Sequence, residues 1–539
     1  MPPSVAVPVH VRKHATSKIA RMMNKHRVFL ATVSAAVLVS CSANPGPAPV
    51  EKEPESPPVS SAASSTSAAP KPEKKTKKSV SIGIDPITGG LNPHVLSDDS
   101  VFVRALASLV LPSAFVGGEI NADLLTFAQE IAPPTSTSAV QTVRYTIRSE
   151  AQWSDGTPIT VSDFQYLWEA KSTNPGVLGA SKYRAIAGIR SSNGGRTVDV
   201  DFSAKVADWR DLFSALLPSH LLRDSDASFT SVMAHSIPAS GWKYSLASVD
   251  KQRGILTLNR NDRFWGKNPA KNETITFSEV RDVTQGAEML RTGQIHYLDI
   301  TPTEVAREAF ELMPNTQVRT QESPLTLQLI ANLNLSEAQR AELRSLVDRR
   351  LIAKLAMGRS SDLVVASESY EPHAELLASL GRDVRIGVDP ADPHAENAAR
   401  ALVDLLARHG VGAKLVTTDT ASLLGTKLID GSVDAIMTWN SANNLDRYQC
   451  SRPKPATNFT NWCNKQTDVE ISEVLAGVRT PEDFNAIASN IETSQHFTTE
   501  ITKDLRLQVR GSGIVGPDPQ LDQWPEDLAA LATWTPKED

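Results

Sequence analysis

Apolar residues fall at every second position in Val80-Ser81-Ile82-Gly83-Ile84-Asp85, the signature of a strand, and Pro86 with Gly89-Gly90 marks a turn behind it. Thr142 to Arg148 alternates again. Trp153-Ser154-Asp155-Gly156-Thr157-Pro158 then supplies a tight turn, since Asp-Gly suits positive backbone angles. Thr160 followed by Asp163 reads as an N-cap with a first-turn acid, and Phe164, Leu167 and Trp168 form the apolar face of the helix it opens. Leu256 to Gly266 carries a second strand and aromatic turn, Thr274 to Val280 a further strand. Gly286 to Ile300 reads as a short helix, a glycine stop at Gly293 and a strand.

The pattern changes in the C-terminal half. Asp383 to Val388 alternates as a strand. Ala398, Leu402, Leu405 and Leu406 then make a helical stripe stopped by Gly410, and Val411 to Val416 is strand-like. A helix around Ala421 to Leu428 leads to the strand Val433 to Trp439. This β-α-β-α-β order predicts an open parallel sheet whose ligands sit beyond the carboxyl ends of its strands.

The N-terminus changes the picture of where such a body works. Arg12, Lys13, Lys18, Arg21, Lys25 and Arg27 precede the uncharged run Val28 to Ser40, which ends at Cys41. Thirteen helical residues reach about 20 Å against about 30 Å of bilayer hydrocarbon, too short to span. Residues 1–40 therefore read as a secretory signal peptide, with Met22 or Met23 as the expected start of translation. Leu38-Val39-Ser40-Cys41 resembles a bacterial lipobox, which implies lipidation at Cys41 and anchoring to the extracytoplasmic face of the plasma membrane. Residues 42 to 79 hold eight Pro and eight Ser and no Leu, Ile or aromatic residue, so 41–79 is expected to be a disordered tether.

Of the 539 residues, 55 are Lys or Arg and 61 Asp or Glu. Removing the six positive charges of residues 1–40 leaves 49 against 61, a net of −12. A body this acidic, without an internal basic block, argues against nucleic acid as partner. Cys450 and Cys463 are the cysteines left after Cys41. No His lies between His409 and His496, which disfavours zinc and leaves a disulfide in an oxidising compartment, or two separate buried thiols.

Arg148 to Phe164 (RSEAQWSDGTPITVSDF), Asn259 to Gly266, Leu290 to Ile295 and Ser345 to Arg349 together resemble the extracytoplasmic solute-binding proteins of oligopeptide ABC transporters, family 5. The resemblance runs in order from about Val80 to Val509. Asp85 to Phe115, EAQWSDG and NDRFWG are similar to one branch of it, an actinobacterial lipoprotein linked to lipoglycan assembly. It implies a two-lobed, α/β, periplasmic-binding-protein-like fold (type II, oligopeptide-binding class) with a hinge between the lobes. The expected division is 80–320 for lobe I, 321–504 for lobe II and 505–539 for the return to lobe I. The crossings are expected near Thr320 to Asn332 and Lys503 to Gly511.

The strand ending at Trp439 carries the site hypothesis: Trp439 and Asn440, then the loop acid Asp446. In peptide-binding members of the family an aspartate after this strand pairs with the ligand's amino terminus. Asp446 stands nearest, but the usual Asp-Tyr-x-Asp-Pro pattern is absent, and a solvated loop acid is the plain alternative. Trp439 reads more readily as core than as a ligand contact, and Asn458-Phe459 would lie near the cleft mouth. No G-x-S-x-G, H-E-x-x-H or P-loop occurs. Asp98-Asp99 reads as a solvated turn. The expectation is a binding protein without catalytic residues, metal or cofactor. The resemblance to the lipoglycan-linked branch implies, as ligand, a mannosylated glycolipid of the phosphatidylinositol mannoside type, with a role in lipomannan and lipoarabinomannan biosynthesis and partners in the envelope mannosyltransferase machinery. The alternative is oligopeptides delivered to an ABC permease.

Overall fold

The computed structural model describes residues 78–366, 370–450, 457–516, 518–524 and 528–537. The expected signal segment, Cys41 and almost all of the expected tether lie outside the described residues. Among the described residues no helix is long and apolar enough to cross a membrane.

The strand Ser79–Ile84 pairs in parallel with Thr274–Glu279 on one side and with Tyr297–Ile300 on the other. These belong to a ten-stranded mixed sheet. At its centre lie two long antiparallel strands, Gln317–Ala331 and Thr498–Arg510, registered from Gln317 opposite Arg510 to Ile330 opposite Thr498. The pairing shifts between Glu322 and Thr326 and again between Leu327 and Gln328, so the ribbon is interrupted where it passes from one lobe to the other.

On the far end of this sheet the expected β-α-β-α-β unit is present. Val384–Val388 pairs in parallel with Ala413–Thr417 and with Ala435–Asn440. Helix Pro393–Arg408 buries Ala398, Leu402, Leu405 and Leu406, as the stripe requires. The second connection differs from expectation. Thr420–Ser422 makes one helical turn and then widens, with Leu428 N–H donating to Leu423 O at 2.9 Å.

A separate four-stranded antiparallel sheet (Leu125–Ile131, Gln141–Ile147, Thr197–Phe202, Ile186–Ser192) backs the first lobe. Helix Val161–Thr173 packs Phe164 and Leu167, both fully buried, into this lobe's core. Its start is the predicted capping box: Asp163 Oδ2 accepts from Thr160 N–H at 2.9 Å, and the Thr160 hydroxyl accepts from the helix backbone. The Trp153 turn forms around Gly156, at φ 93°, with Trp153 N–H bonded to Thr157 O at 2.7 Å. One core draws on residues 80–297 and 514–534, another on 327–437 with Ile501, so the chain builds two lobes joined by the central ribbon.

Candidate functional site

A cavity of about 320 Å³ lies between the lobes. The first lobe contributes the carboxyl ends of two parallel strands, which deliver Asp85 and Asp299, and the segment 96–103. The second lobe contributes Asp389, Asp392 and His394 at the start of helix Pro393–Arg408, and Thr438 with Trp439 at the end of their strand. The crossing strands add Leu325, Asp504 and Arg506. Apolar wall comes from Ile84, Ile87, Phe102 and Leu528.

The lining is strongly acidic. Seven aspartates (85, 98, 99, 299, 389, 392 and 504) face one guanidinium, Arg506, which is the one Arg or Lys among the described lining residues. Arg506 is itself committed: Nη1 donates to Asp85 Oδ2 at 2.6 Å, Nε to Asp299 Oδ1 at 2.7 Å and Nη2 to Asp299 O at 2.8 Å. Burial opposes its charge, but Asp85, Asp299 and Asp504 outweigh that and raise its pKa well above the ordinary arginine value. Gln508 Nε2 closes the shell on Asp299 Oδ2 at 2.8 Å.

Most of the carboxylates are spent on the protein. Asp99 takes a bidentate pair from Arg104, at 2.7 Å each. Asp389 accepts from Thr420 N–H at 2.7 Å and from the Thr420 hydroxyl at 2.9 Å. Two oxygens remain. Asp392 caps its helix through Oδ1, from His394 N–H at 3.0 Å and Ala395 N–H at 3.1 Å, and Asp504 accepts from Ser323 Oγ at 2.7 Å through Oδ2. Asp392 Oδ2 and Asp504 Oδ1 have no protein donor among the described residues. Burial raises the pKa of both carboxyls. His394 directs Nδ1 to Ala356 O at 3.0 Å; as donor there, it leaves Nε2 an acceptor. The cleft thus offers acceptors in a cavity that Trp439 also lines, and suits a ligand that supplies donors.

Of the three residues singled out after the last parallel strand, the structure brings Trp439 to this cavity. Asn440 is buried, accepts from Ala442 N–H at 2.7 Å and lines a separate small void with Tyr448 and Phe459. Asp446 is also buried, and both of its oxygens are taken by backbone N–H groups of Gly179 and Ser181. Asn458 is buried as well, with Nδ2 on Gln449 O and Trp462 O, and Phe459 packs in a hydrophobic cluster with Leu423 and Ile436. The Asp98-Asp99 pair is no solvated turn. Asp98 accepts from Asn92 N–H at 3.0 Å and has its pKa raised by burial, and the Asp99 side chain is covered. Cys450 and Cys463 form a disulfide, with Cα atoms 4.9 Å apart.

Sequence reasoning missed Asp392, Asp504 and Arg506. The strand-end rule that selected Trp439 applies equally to Val388, and Asp392-Pro393 behind it is a helix start. Asp504 and Arg506 carry no local signal, because only long-range strand pairing brings them to the cleft.

Two lobes on a shared ribbon, with an acidic cleft between them at strand ends, define a solute-binding protein. The family described as bacterial extracellular solute-binding proteins, family 5 Middle, matches residues 132–360. The chain is 27% identical over 448 residues to the probable monoacyl phosphatidylinositol tetramannoside-binding protein LpqW of Mycobacterium tuberculosis, covering 69% of this chain and 70% of that protein. It is 28% identical over 189 residues to the oligopeptide-binding protein OppA of Mycobacterium tuberculosis, 34% of this chain and 32% of that one. Among solved structures, the oligopeptide-binding protein AppA of Bacillus subtilis, in complex with a nonapeptide, superposes with a TM-score of 0.65 at 14% identity, over 86% of this chain and 100% of that one. The chain is similar to the family 5 extracellular solute-binding proteins and, among them, to LpqW.

Proposed function

We propose that this chain is a non-catalytic receptor that holds the sugar part of a mannosylated glycolipid between its lobes, acting with the envelope mannosyltransferase machinery in lipomannan and lipoarabinomannan biosynthesis. The observation that carries this reading is the spare Asp392 and Asp504 oxygens in one cavity with the Trp439 indole. Sugar hydroxyls donate to carboxylates, and the C–H face of a pyranose packs on an aromatic ring. A phosphate would meet seven aspartates, so the sugar enters and the phosphate stays outside. The similarity to LpqW, whose name specifies a phosphatidylinositol tetramannoside, supports the same ligand class.

The division 80–320, 321–504 and 505–539, with hinge bending at the crossings, and lipid anchoring through Cys41 complete the proposal. A ligand that touches Asp392 on one lobe and Asp85 on the other favours the closed form by that difference in contacts.

The second reading is capture of oligopeptides for an ABC permease, favoured by the similarity to OppA. Aspartates could hold a peptide's amino group, but the one guanidinium among the described lining residues is already bound to Asp85 and Asp299 and is not free for a carboxyl terminus.

Titration calorimetry of the purified protein with deacylated phosphatidylinositol tetramannoside, and separately with tri- to nonapeptides, tests this. Saturable binding of the mannoside alone is expected. Binding of peptides without the mannoside would replace it with the second reading.

A further inference from the structure

A contact between the lobes, built by neither crossing strand, lies on the helix Asn444–Tyr448 of the second lobe. Asp446 there is 3% exposed. Its Oδ2 accepts from Gly179 N–H of the first lobe at 2.7 Å, and its Oδ1 from Ser181 N–H at 2.9 Å. Gly179 stands at φ 68°, a conformation that favours glycine and that turns the backbone into the helix Ala180–Arg184. Beside the carboxylate lies Lys171, fully buried, with Nζ 4.7 Å from the centre of the Tyr183 ring and attracted electrostatically to Asp446. Neighbouring groups repeat the theme. Ser441 of the second lobe donates to Asp99 of the first, and Ala207 N–H donates to Leu475 O at 2.7 Å. Leu96 and Leu178 pack with Leu423, Leu424 and Leu428.

A second set of lobe-to-lobe contacts sits beside the crossing strands, where Val364 bridges to Lys503. Ser360 Oγ donates to Glu304 at 2.7 Å, and Arg307 reaches Asp362 at 3.4 Å. Bending of the ribbon can preserve that set. It cannot preserve two backbone N–H groups of one lobe on a single carboxylate of the other.

We propose that Asp446 is a closure latch: in the closed form its carboxylate is held by Gly179 and Ser181 of the first lobe, and it stabilises closure whatever occupies the cleft. The acid nearest the family's amine-pairing position thus serves the protein's own conformational equilibrium, and recognition falls to the residues lining the cavity. The two bonds are charge-assisted and made only when the lobes meet, so their free energy belongs wholly to the closed state. Opening returns Asp446 and Lys171 to water, which makes the latch reversible.

The test uses cysteines introduced at the exposed positions Lys205 and Glu482, one on each lobe, spin-labelled for distance measurement without added ligand. The otherwise unmodified protein should show mainly the short distance. Asp446→Asn should shift the closed-to-open ratio roughly ten- to hundred-fold toward open, the range expected for a lost charged hydrogen-bond acceptor. Adding Lys171→Met to Asp446→Asn should return part of the closed population, because no unpaired ammonium is then buried. A folded Asp446→Asn protein with the wild-type distance distribution would overturn the latch. Should that variant not fold, amide exchange in the unmodified protein decides. Slow exchange at Gly179 and Ser181, governed by opening, is expected, and exchange at the free-peptide rate overturns the proposal.

Discussion

Arg506 on the last crossing strand donates to Asp85 at the end of the first strand at 2.6 Å, a bond between residues 421 positions apart in the chain. Paired also with the buried Asp299, it forms a partly buried cation flanked by carboxylates on the floor of the cleft. Removing the cation strands those carboxylates, and breaking a buried pair from one side costs about 3–5 kcal/mol. Arg506→Met should therefore lower the unfolding free energy obtained from urea denaturation by an amount in that range, with a matching fall in the urea midpoint. The double variant Arg506→Met/Asp299→Leu should recover part of it, because matched apolar groups replace the pair. A midpoint unchanged in the single variant would show that the floor is solvated.

His94 gives a pH signature. It is fully buried, with Nε2 2.8 Å from Ala215 O, and burial, then the charge of Lys171, depress its pKa from 6.5 to about 3. The unfolded chain binds a proton at His94 below its ordinary pKa while the folded protein does not, so stability is lost as pH falls from about 6.5 toward 3. His94→Gln should flatten the stability-versus-pH curve over that window in chemical denaturation. An unchanged slope would contradict the burial of a neutral imidazole.

Lys171 predicts a change in the opposite part of the range. Burial lowers its pKa from 10.5 to about 8, against the attraction of Asp446. Between these values the unfolded chain binds more protons, so stability rises with pH from about 8 to 10.5. Lys171→Met should remove this rise, read as the difference between the two proteins' urea curves at pH 8 and pH 10, with the variant the more stable at neutral pH.

The disulfide predicts a separate loss. In the entropic account a closed loop of this size contributes about 3 kcal/mol. Cys450→Ser/Cys463→Ser should show a loss approaching that in thermal unfolding, and reductant should produce the same shift in the unmodified protein.

Much of the fold could be read in the chain because its signals are local. Thr160 and Asp163 are three residues apart and make the capping box they spell, and Gly410 ends the helix whose stripe precedes it. The parallel unit followed from alternation and spacing alone. The site was less legible for a physical reason: a carboxylate's role depends on which donors reach it. Asp446 looked like an exposed loop acid, yet its donors lie more than 260 positions upstream. Asp504 and Arg506 sit in an ordinary alternating strand, and their facing groups come from Ser323, Asp85 and Asp299. Trp439 lines the cavity at the place the strand-end rule pointed to, because that rule is topological and needs no knowledge of partners.

The central claim is that the cleft binds sugar hydroxyls through Asp392 and Asp504 against Trp439. Asn is as good a helix cap as Asp, so Asp392→Asn should keep the helix Pro393–Arg408 intact while removing the charge. The decisive measurement is calorimetric affinity of this variant and the unmodified protein for deacylated phosphatidylinositol tetramannoside. The account predicts saturable binding by the unmodified protein and a loss of roughly ten-fold or more in the variant, at an unchanged unfolding midpoint. Equal affinities for the two proteins, or no mannoside binding by either, would contradict it.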